Sequence, residues 1–178
     1  QIATTRFGQI DLQDTDILHF AEGLLGFADL RQFVIVDDPD DEIFMWLQSV
    51  EKPGVAFPVL EPEFFIPKYN VRLNKGEYEA LGTLAEKAAG MLTYLSIVTI
   101  PQDVAQMTAN LKAPIVINTA NKKAKQVVAA ENDLQIKYPI FSELQRRFVQ
   151  NPQTNPKAAA PGKVAVRLTP QRVHQVNA

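Results

Sequence analysis

The side chains that could perform catalysis are few in this chain, and none has the spacing of a known active site. Histidine occurs twice, as His19 and His174, and cysteine is absent, so there is no cysteine-based metal site and no thiolate nucleophile. His19 stands between two apolar residues in a strand-like run, which favours a structural role. The three serines, Ser49, Ser96 and Ser142, lie outside any Gly-x-Ser-x-Gly elbow.

Patterns that bind phosphate or calcium are also missing. Gly23 and Gly26 frame two leucines, but the chain has no Gly-x-Gly or Gly-Lys-Ser/Thr loop that would cradle a phosphate. Glu61 and Glu63 form a carboxylate pairing too common to indicate glycoside chemistry. The acidic run 37–42 lacks the spacing of a calcium loop and predicts a solvated turn. We therefore expect a protein that is not an enzyme and that uses no metal or cofactor.

The net charge of −2 over 178 residues conceals a division along the chain. Residues 1–141 hold 12 basic and 19 acidic side chains, a balance of −7, whereas residues 142–178 hold 6 and 1, a balance of +5. The acidic body would repel a phosphate backbone, because nucleic-acid affinity comes mainly from clustered cations. Direct nucleic-acid binding is therefore not expected, and an OB-like nucleic-acid-binding module with its cations in the turn 122–125 and the tail is the alternative.

No apolar run approaches the roughly 18 residues that cross a membrane. Short runs rich in β-branched and aromatic residues recur instead at hairpin spacing. They predict strands at 7–12, 17–20, 33–36, 43–47, 55–60, 91–100, 104–110, 115–118 and 126–129. The strands 43–47 and 55–60 flank a Lys-Pro-Gly turn and are expected to pair as a hairpin.

One helix is predicted beside these strands. Asn74 and Glu77 have the spacing of a capping box, apolar residues then recur every three or four positions, and Gly90 supplies the stop. Gly76 and Gly82 weaken this helix by about 1 kcal/mol each relative to alanine, so it needs packing against a sheet. The predicted fold class is all-β, a small barrel-like or sandwich fold of short antiparallel strands with one lateral α-helix. A doubly wound α/β fold does not fit, because strands and helices do not alternate.

The chain is predicted to divide into a β-barrel domain, 1–141, and a basic extension, 142–178. The extension begins with a short helix over 142–149 and continues with a proline- and alanine-containing linker at 151–162. Val164, Val166 and Leu168 alternate with other residues and indicate a terminal strand.

Several motifs, taken in order, resemble the FliW family of flagellar assembly factors. The stretch 107–118 has the composition of two short strands joined by a proline corner at Pro114. The other matching motifs are Thr-Arg-Phe-Gly at 5–8, Phe-Ala-Glu-Gly-Leu-Leu-Gly-Phe at 20–27, Phe-Met-Trp-Leu-Gln-Ser at 44–49, Ala-Phe-Pro-Val at 56–59 followed by Pro62 and Tyr69, and Gln-Val-Val at 126–128. Each motif alone is weak, but the ordered set covers about residues 4–141, the whole length of a short family member.

This resemblance implies a cytoplasmic, non-enzymatic, barrel-like protein. We expect it to be a monomer and to have no membrane partner. Family members bind two competing partners, the filament subunit flagellin and the RNA-binding translational repressor CsrA. Free FliW relieves repression by CsrA, and flagellin that accumulates before export captures FliW. A flagellin-binding chaperone without a CsrA role is the alternative within the family.

The motif residues Gly23, Gly26, Trp46 and Pro114 are interpreted as architectural, serving two turns, a core and a corner. The candidate partner-binding residues lie elsewhere. For charge they are Asp37, Asp38, Asp40, Asp41 and Glu42, and for hydrogen bonds they are Asn110, Lys112 and Asn118.

Overall fold

The computed structural model describes residues 1–150, with side chains for residues 1–146. The first six strands are β1 (Ile2–Thr4), β2 (Gly8–Ile10), β3 (Leu18–Phe20), β4 (Gln32–Asp37), β5 (Met45–Ser49) and β6 (Ala56–Leu60). Next are the helix α1 (Lys75–Ala80) and the strands β7 (Leu92–Thr99), β8 (Thr108–Ala109), β9 (Ile115–Asn118), β10 (Lys123–Gln126) and β11 (Tyr138–Pro139). The helix α2 (Phe141–Gln150) follows. The predicted linker and terminal strand at 151–168 lie outside the described residues.

Seven strands form a closed barrel in the order β7-β6-β5-β4-β3-β10-β9, with β9 pairing back to β7. The strands β8 and β11 extend from the far end of β7, and β1 and β2 form a separate hairpin. The all-β, barrel-like prediction is confirmed, as is the hairpin expected between 43–47 and 55–60, which is the β5–β6 pair.

One neighbouring pair in the barrel, β3 with β10, is parallel, with Lys123 opposite His19 and Ala124 opposite Phe20. The other neighbouring pairs of the described barrel are antiparallel, as predicted, and this pair is the exception. Strands of alternating direction cannot close a ring that has an odd number of members, so a seven-stranded barrel needs one parallel pair. The structure places that pair where the chain's early and late strands meet, and we call it the seam.

The barrel interior is filled by apolar side chains from every strand of the ring, among them Phe20, Phe33, Leu47, Val59 and Ile117. Strands β4 and β5 are buried on their outer face as well, because the β1–β2 hairpin covers them. Burial on both faces explains why these strands read as continuous apolar runs rather than alternating ones.

A second outer layer covers the other side of the barrel. Tyr69, Val71 and Leu73 from an irregular segment pack there with Val116 of β9 and with Leu144 of α2. Leu144 is 4% exposed, so α2 packs on the barrel, and the division of the chain at 141/142 stays a prediction.

The helix predicted over 74–90 is much shorter in the structure. Its capping box between Asn74 and Glu77 is present, but α1 ends at Ala80 and a short 3₁₀ turn follows at Ala85–Lys87. Gly82 adopts φ +71°, a left-handed conformation that ends the helix. The region 104–110 likewise contains a 3₁₀ turn before β8, and β10 begins three residues earlier than predicted, at Lys123.

Candidate functional site

The acidic run 37–42 forms the turn between β4 and β5, and its carboxylates organise that turn. Asp38 accepts a hydrogen bond from the indole Nε1 of Trp46 at 2.8 Å and another from the backbone N–H of Asp40 at 2.8 Å. Asp41 accepts from the backbone N–H groups of Ile43 at 2.6 Å and Phe44 at 3.2 Å. The turn is therefore fixed by its own side chains, as aspartate commonly does in turns.

Trp46 joins this turn to the β1–β2 hairpin. Its indole is 8% exposed, and the Arg6 guanidinium lies over the ring at 3.9 Å from the centroid. Phe7 packs against the same ring edge-on, with the centroids 6.1 Å apart. This stacking places Arg6, Trp46 and Asp38 in one chain of contacts that restrains the position of the acidic turn.

The carboxylates of the turn differ in availability. Asp40 is exposed, and its carboxylate has no hydrogen bond or ion pair within the described part of the chain. Asp37, Asp41 and Glu42 are half-buried and are engaged with neighbouring groups. The turn is thus a restrained acidic surface with Asp40 as its most accessible charge.

The predicted hydrogen-bonding residues are engaged within the chain. Asn110 accepts from the backbone N–H groups of Lys112 at 3.1 Å and Ala113 at 2.9 Å, and Lys112 Nζ donates to the carbonyl of Glu131 at 2.7 Å. These contacts shape the loop that leads into β9. A partner-binding role for Asn110 and Lys112 stays a prediction.

Asn118, at the other end of β9, is 1% exposed. Its Nδ2 donates to the carbonyl of Leu81 at 2.8 Å, and its Oδ1 accepts from the backbone N–H of Ala120 at 3.0 Å. The side chain therefore ties the end of α1 to the barrel. This burial favours a structural role over direct contact with a partner.

A tight turn at 24–27 presents an apolar residue to solvent. Phe27 N donates to the Leu24 carbonyl at 2.8 Å, and Gly26 has φ +82°. Gly23, at φ +65°, comes so close to the carbonyl of Phe27 that an added Cβ would lie 2.5 Å from its oxygen. Leu25 is 61% exposed at the tip of this turn. The two glycines thus have the architectural role that the sequence indicates.

Gln126 fixes this turn to the barrel. Its Oε1 accepts from the backbone N–H of Leu25 at 2.9 Å, and its Nε2 donates to the Ala113 carbonyl at 3.2 Å. Val128, two residues further on, is 59% exposed. Sequence reasoning did not single out Leu25 or Val128, although an apolar residue between two turn glycines is a usable signal for an exposed side chain.

Sequence reasoning also missed a cleft beside the seam. The cleft has a volume of about 280 Å³ and three basic side chains in its lining, His19, Arg31 and Lys123. The alternation of exposed His19 with buried Leu18 and Phe20 is the signal that could have placed this histidine on the outside of the barrel.

Two buried tyrosines in the described part of the chain make structural contacts. Burial raises the pKa of the Tyr69 and Tyr94 phenols, so both remain protonated at neutral pH. Tyr69 donates to the Leu111 carbonyl at 2.6 Å and Tyr94 to Asn70 Oδ1 at 2.9 Å, which are structural contacts. Within residues 1–146, no three histidine or acidic side chains converge as metal ligands would. None of the helices described is both long and apolar enough to cross a membrane.

The barrel, its hairpin and the surrounding segments correspond to one known protein family. The family model described as "FliW protein" matches residues 1–140, which include the seven-stranded barrel and the β1–β2 hairpin and end just before α2. The chain belongs to the FliW family. The resemblance inferred from the motifs is therefore confirmed.

Curated relatives and a solved structure agree with this assignment. The flagellar assembly factor FliW of Bdellovibrio bacteriovorus is 55% identical over 168 residues, covering 94% of each chain. That of Thermoanaerobacter pseudethanolicus is 40% identical over 149 residues, covering 83% of this chain and 97% of the relative. A crystal structure of a flagellar assembly factor FliW superposes with a TM-score of 0.68 at 33% identity, covering 79% of this chain and 96% of that one. The match to the Bdellovibrio relative, at 94% coverage, extends beyond residue 150.

Proposed function

We propose that this chain is a cytoplasmic regulator of flagellum biogenesis that binds flagellin and antagonises the translational repressor CsrA by switching between the two partners. Membership of the FliW family over residues 1–140 is the observation that carries the proposal. The curated relatives are flagellar assembly factors, a regulatory or chaperone role rather than a known enzymatic one.

The charge of the barrel domain supports binding to an RNA-binding protein. Residues 1–141 carry a balance of −7, which favours encounter with a basic partner and opposes simultaneous binding of phosphate by the same complex. The turn between β4 and β5 concentrates part of this charge on a restrained surface, with Asp40 exposed at its tip. A restrained surface loses little conformational entropy on binding.

Two apolar side chains near the seam support a second contact surface. Leu25 and Val128 are 61% and 59% exposed, and Gln126 holds the backbone of Leu25 in place. Exposed apolar side chains on a fixed backbone suit binding to a protein, because they bury apolar area with little loss of freedom. Flagellin is the proposed occupant of this surface.

The deciding experiment is titration calorimetry of the full chain with monomeric flagellin, repeated after CsrA has been bound. We expect flagellin to bind and to displace CsrA. Binding of flagellin without any interaction with CsrA would replace the switch by a flagellin-specific chaperone. A folded chain that binds neither partner would contradict the proposed function.

A further inference from the structure

The cleft beside the seam contains basic groups that form no ion pair with any side chain among residues 1–146. It lies where β3, the start of β4, the end of α1 and the start of β10 meet. Its lining residues are His19, Phe20, Ala21, Arg31, Gln32, Ala80 and Lys123. We propose that this cleft binds a carboxylate side chain from an acidic peptide segment of a partner protein.

The strand register places the polar side chains in one row. Lys123 of β10 is the partner of His19 on β3, and His19 is the partner of Gln32 on β4. Neighbouring strands are about 4.8 Å apart, so the three Cα atoms span roughly 10 Å. Leu18 and Phe20, on either side of His19, face the interior, so the row faces outwards.

The backbone on both sides of this row is held in place. On the β10 side, the backbone N–H of Lys123 donates to Asn121 Oδ1 at 2.9 Å, and the backbone N–H of His19 donates to the Lys122 carbonyl at 2.9 Å. On the opposite side, Glu51 Oε1 accepts from the backbone N–H groups of Arg31 at 2.6 Å and Gln32 at 2.8 Å. The basic side chains therefore extend from fixed positions at two edges of the cleft.

None of the three basic side chains has a hydrogen bond or an ion pair within the described part of the chain. Among the described residues, the acidic side chains nearest to these three in sequence or register form no ion pair with them. Glu22 pairs with Lys125, Glu79 with Lys75, and Glu51 with backbone N–H groups, while Asp29 is exposed and forms no ion pair. An anion that enters the cleft thus meets donors that are free to bind it.

The chemistry of the lining favours a carboxylate over a phosphate-rich ligand. The guanidinium of Arg31 presents a planar pair of donors that matches a carboxylate or a phosphate, and Lys123 and His19 add single donors. The choice between the two ligands therefore depends on the surroundings of the cleft. Phe20 is 1% exposed, so it offers no ring face on which a nucleobase could stack. The balance of −7 over residues 1–141 also opposes binding of a polyanion. A single carboxylate on a peptide fits both the local cations and this wider field.

This inference goes beyond the proposed function and does not depend on it. The cleft is tested with synthetic peptides, whereas the proposed function is tested with flagellin and CsrA. Failure of one is therefore distinguishable from failure of the other.

The experiment is a nuclear magnetic resonance titration of the full-length, ¹⁵N-labelled chain at low salt. The probes are a blocked peptide with one glutamate in an otherwise uncharged sequence, the same peptide with glutamine at that position, and inorganic phosphate. The test variant is the double substitution Arg31→Gln with Lys123→Gln. The matched control, Lys52→Gln with Lys87→Gln, removes the same charge from exposed side chains that form no ion pair with the described residues.

We expect the glutamate peptide to shift the amide signals of His19, Gln32 and Lys123, with affinity about tenfold weaker in the test variant and nearly unchanged in the control, because charge-assisted hydrogen bonds are lost only in the former. Thermal unfolding of both variants is expected to match the parent. Absence of binding, equal loss in both double variants, or equal binding of the glutamine peptide would overturn the proposal. Phosphate binding as tightly as the glutamate peptide at the same amides would reassign the cleft to free phosphate and also overturn it.

Discussion

The acidic turn between β4 and β5 and the basic cleft at the seam show two opposite ways of placing charge. In the turn, Asp38 and Asp41 accept hydrogen bonds from groups no more than eight residues away. In the cleft, His19 and Lys123 come from strands at opposite ends of the barrel sequence and have no partner for their charged or polar ends within residues 1–146. A dense run of charge in sequence therefore serves mainly local structure, whereas scattered charges brought together by the fold remain available for a ligand.

The largest expected effect tests the structural role of the acidic turn. Replacing Asp38 by alanine removes the acceptor of the Trp46 indole and of a backbone N–H, and leaves a largely buried donor unpaired. We expect a loss of about 2 kcal/mol in the free energy of unfolding, measured by urea denaturation.

The matched control for this turn is Asp40→Ala, because Asp40 is exposed and its carboxylate forms no ion pair within residues 1–146. We expect a change within about 0.5 kcal/mol. Equal destabilisation by the two substitutions would remove the distinction between structural and available acids in the turn.

A smaller effect is expected on the seam side of the comparison. Replacing Gln126 by alanine removes the side chain that joins the Leu25 backbone to the Ala113 carbonyl. We expect a local loss of about 1 kcal/mol, seen as roughly fivefold faster hydrogen exchange of the Leu25 amide. Gln102→Ala, at an exposed residue far from this turn in sequence, should leave that rate unchanged.

The availability of Asp40 is tested by reversing its charge. Asp40→Lys should lower the association rate constant with CsrA about two- to threefold at low salt, because exposed charges act mainly on encounter. The control is Asp29→Lys, which makes the same charge change in the loop just before the first residue of β4, at the end of the strand opposite to the acidic turn. An equal decrease for both variants would indicate that net charge matters and that the acidic turn has no special place in the interface.

The smallest effect concerns the exposed ion pair at the seam. The pKa of Glu22 is held below its usual range mainly by a hydrogen bond from Lys125 and, second, by the positive charge of that lysine. Lys125→Gln should raise the pKa of Glu22 towards its ordinary value, as followed by a pH titration of the Glu22 carboxyl signal. Because the folded-state pKa is lowered, the pair's contribution is present at neutral pH and is lost as pH falls through that pKa. Since Glu22 is exposed, the thermal midpoint at neutral pH should change little.

The parts of the fold that depend on local pattern were predictable from sequence. The apolar runs located most strands, and the Lys-Pro-Gly turn identified the β5–β6 hairpin. The capping box at Asn74 marked the start of α1, but its end depended on the left-handed conformation of Gly82. The apolar periodicity predicted a helix that runs past Gly82, because the spacing of apolar residues carries no information on the backbone conformation of a glycine.

The features that depend on distant pairing were not predictable in the same way. The parallel register between His19 and Lys123 follows from closing a ring of seven strands, which no local pattern states. That register brings His19 and Lys123 together in the cleft. In the sequence they are far apart and stand out only as an isolated histidine and as part of a basic turn. Nothing in the sequence indicated that the polar side chain of Asn118 is buried against Leu81, and a partner-binding role for this residue stays a prediction.

The closure of the barrel has a consequence for synthesis of the chain. Leu25 and Gln126, which meet beside the seam, are separated by 101 positions, and β10 is the last strand of the ring to leave the ribosome. Until β10 emerges, the barrel cannot close, and the apolar side chains on the interior faces of the earlier strands stay partly exposed. Closure by pairing of residues so distant in sequence is also slow. We expect the nascent chain to remain an open, aggregation-prone sheet through most of its translation and to become protected only near the end.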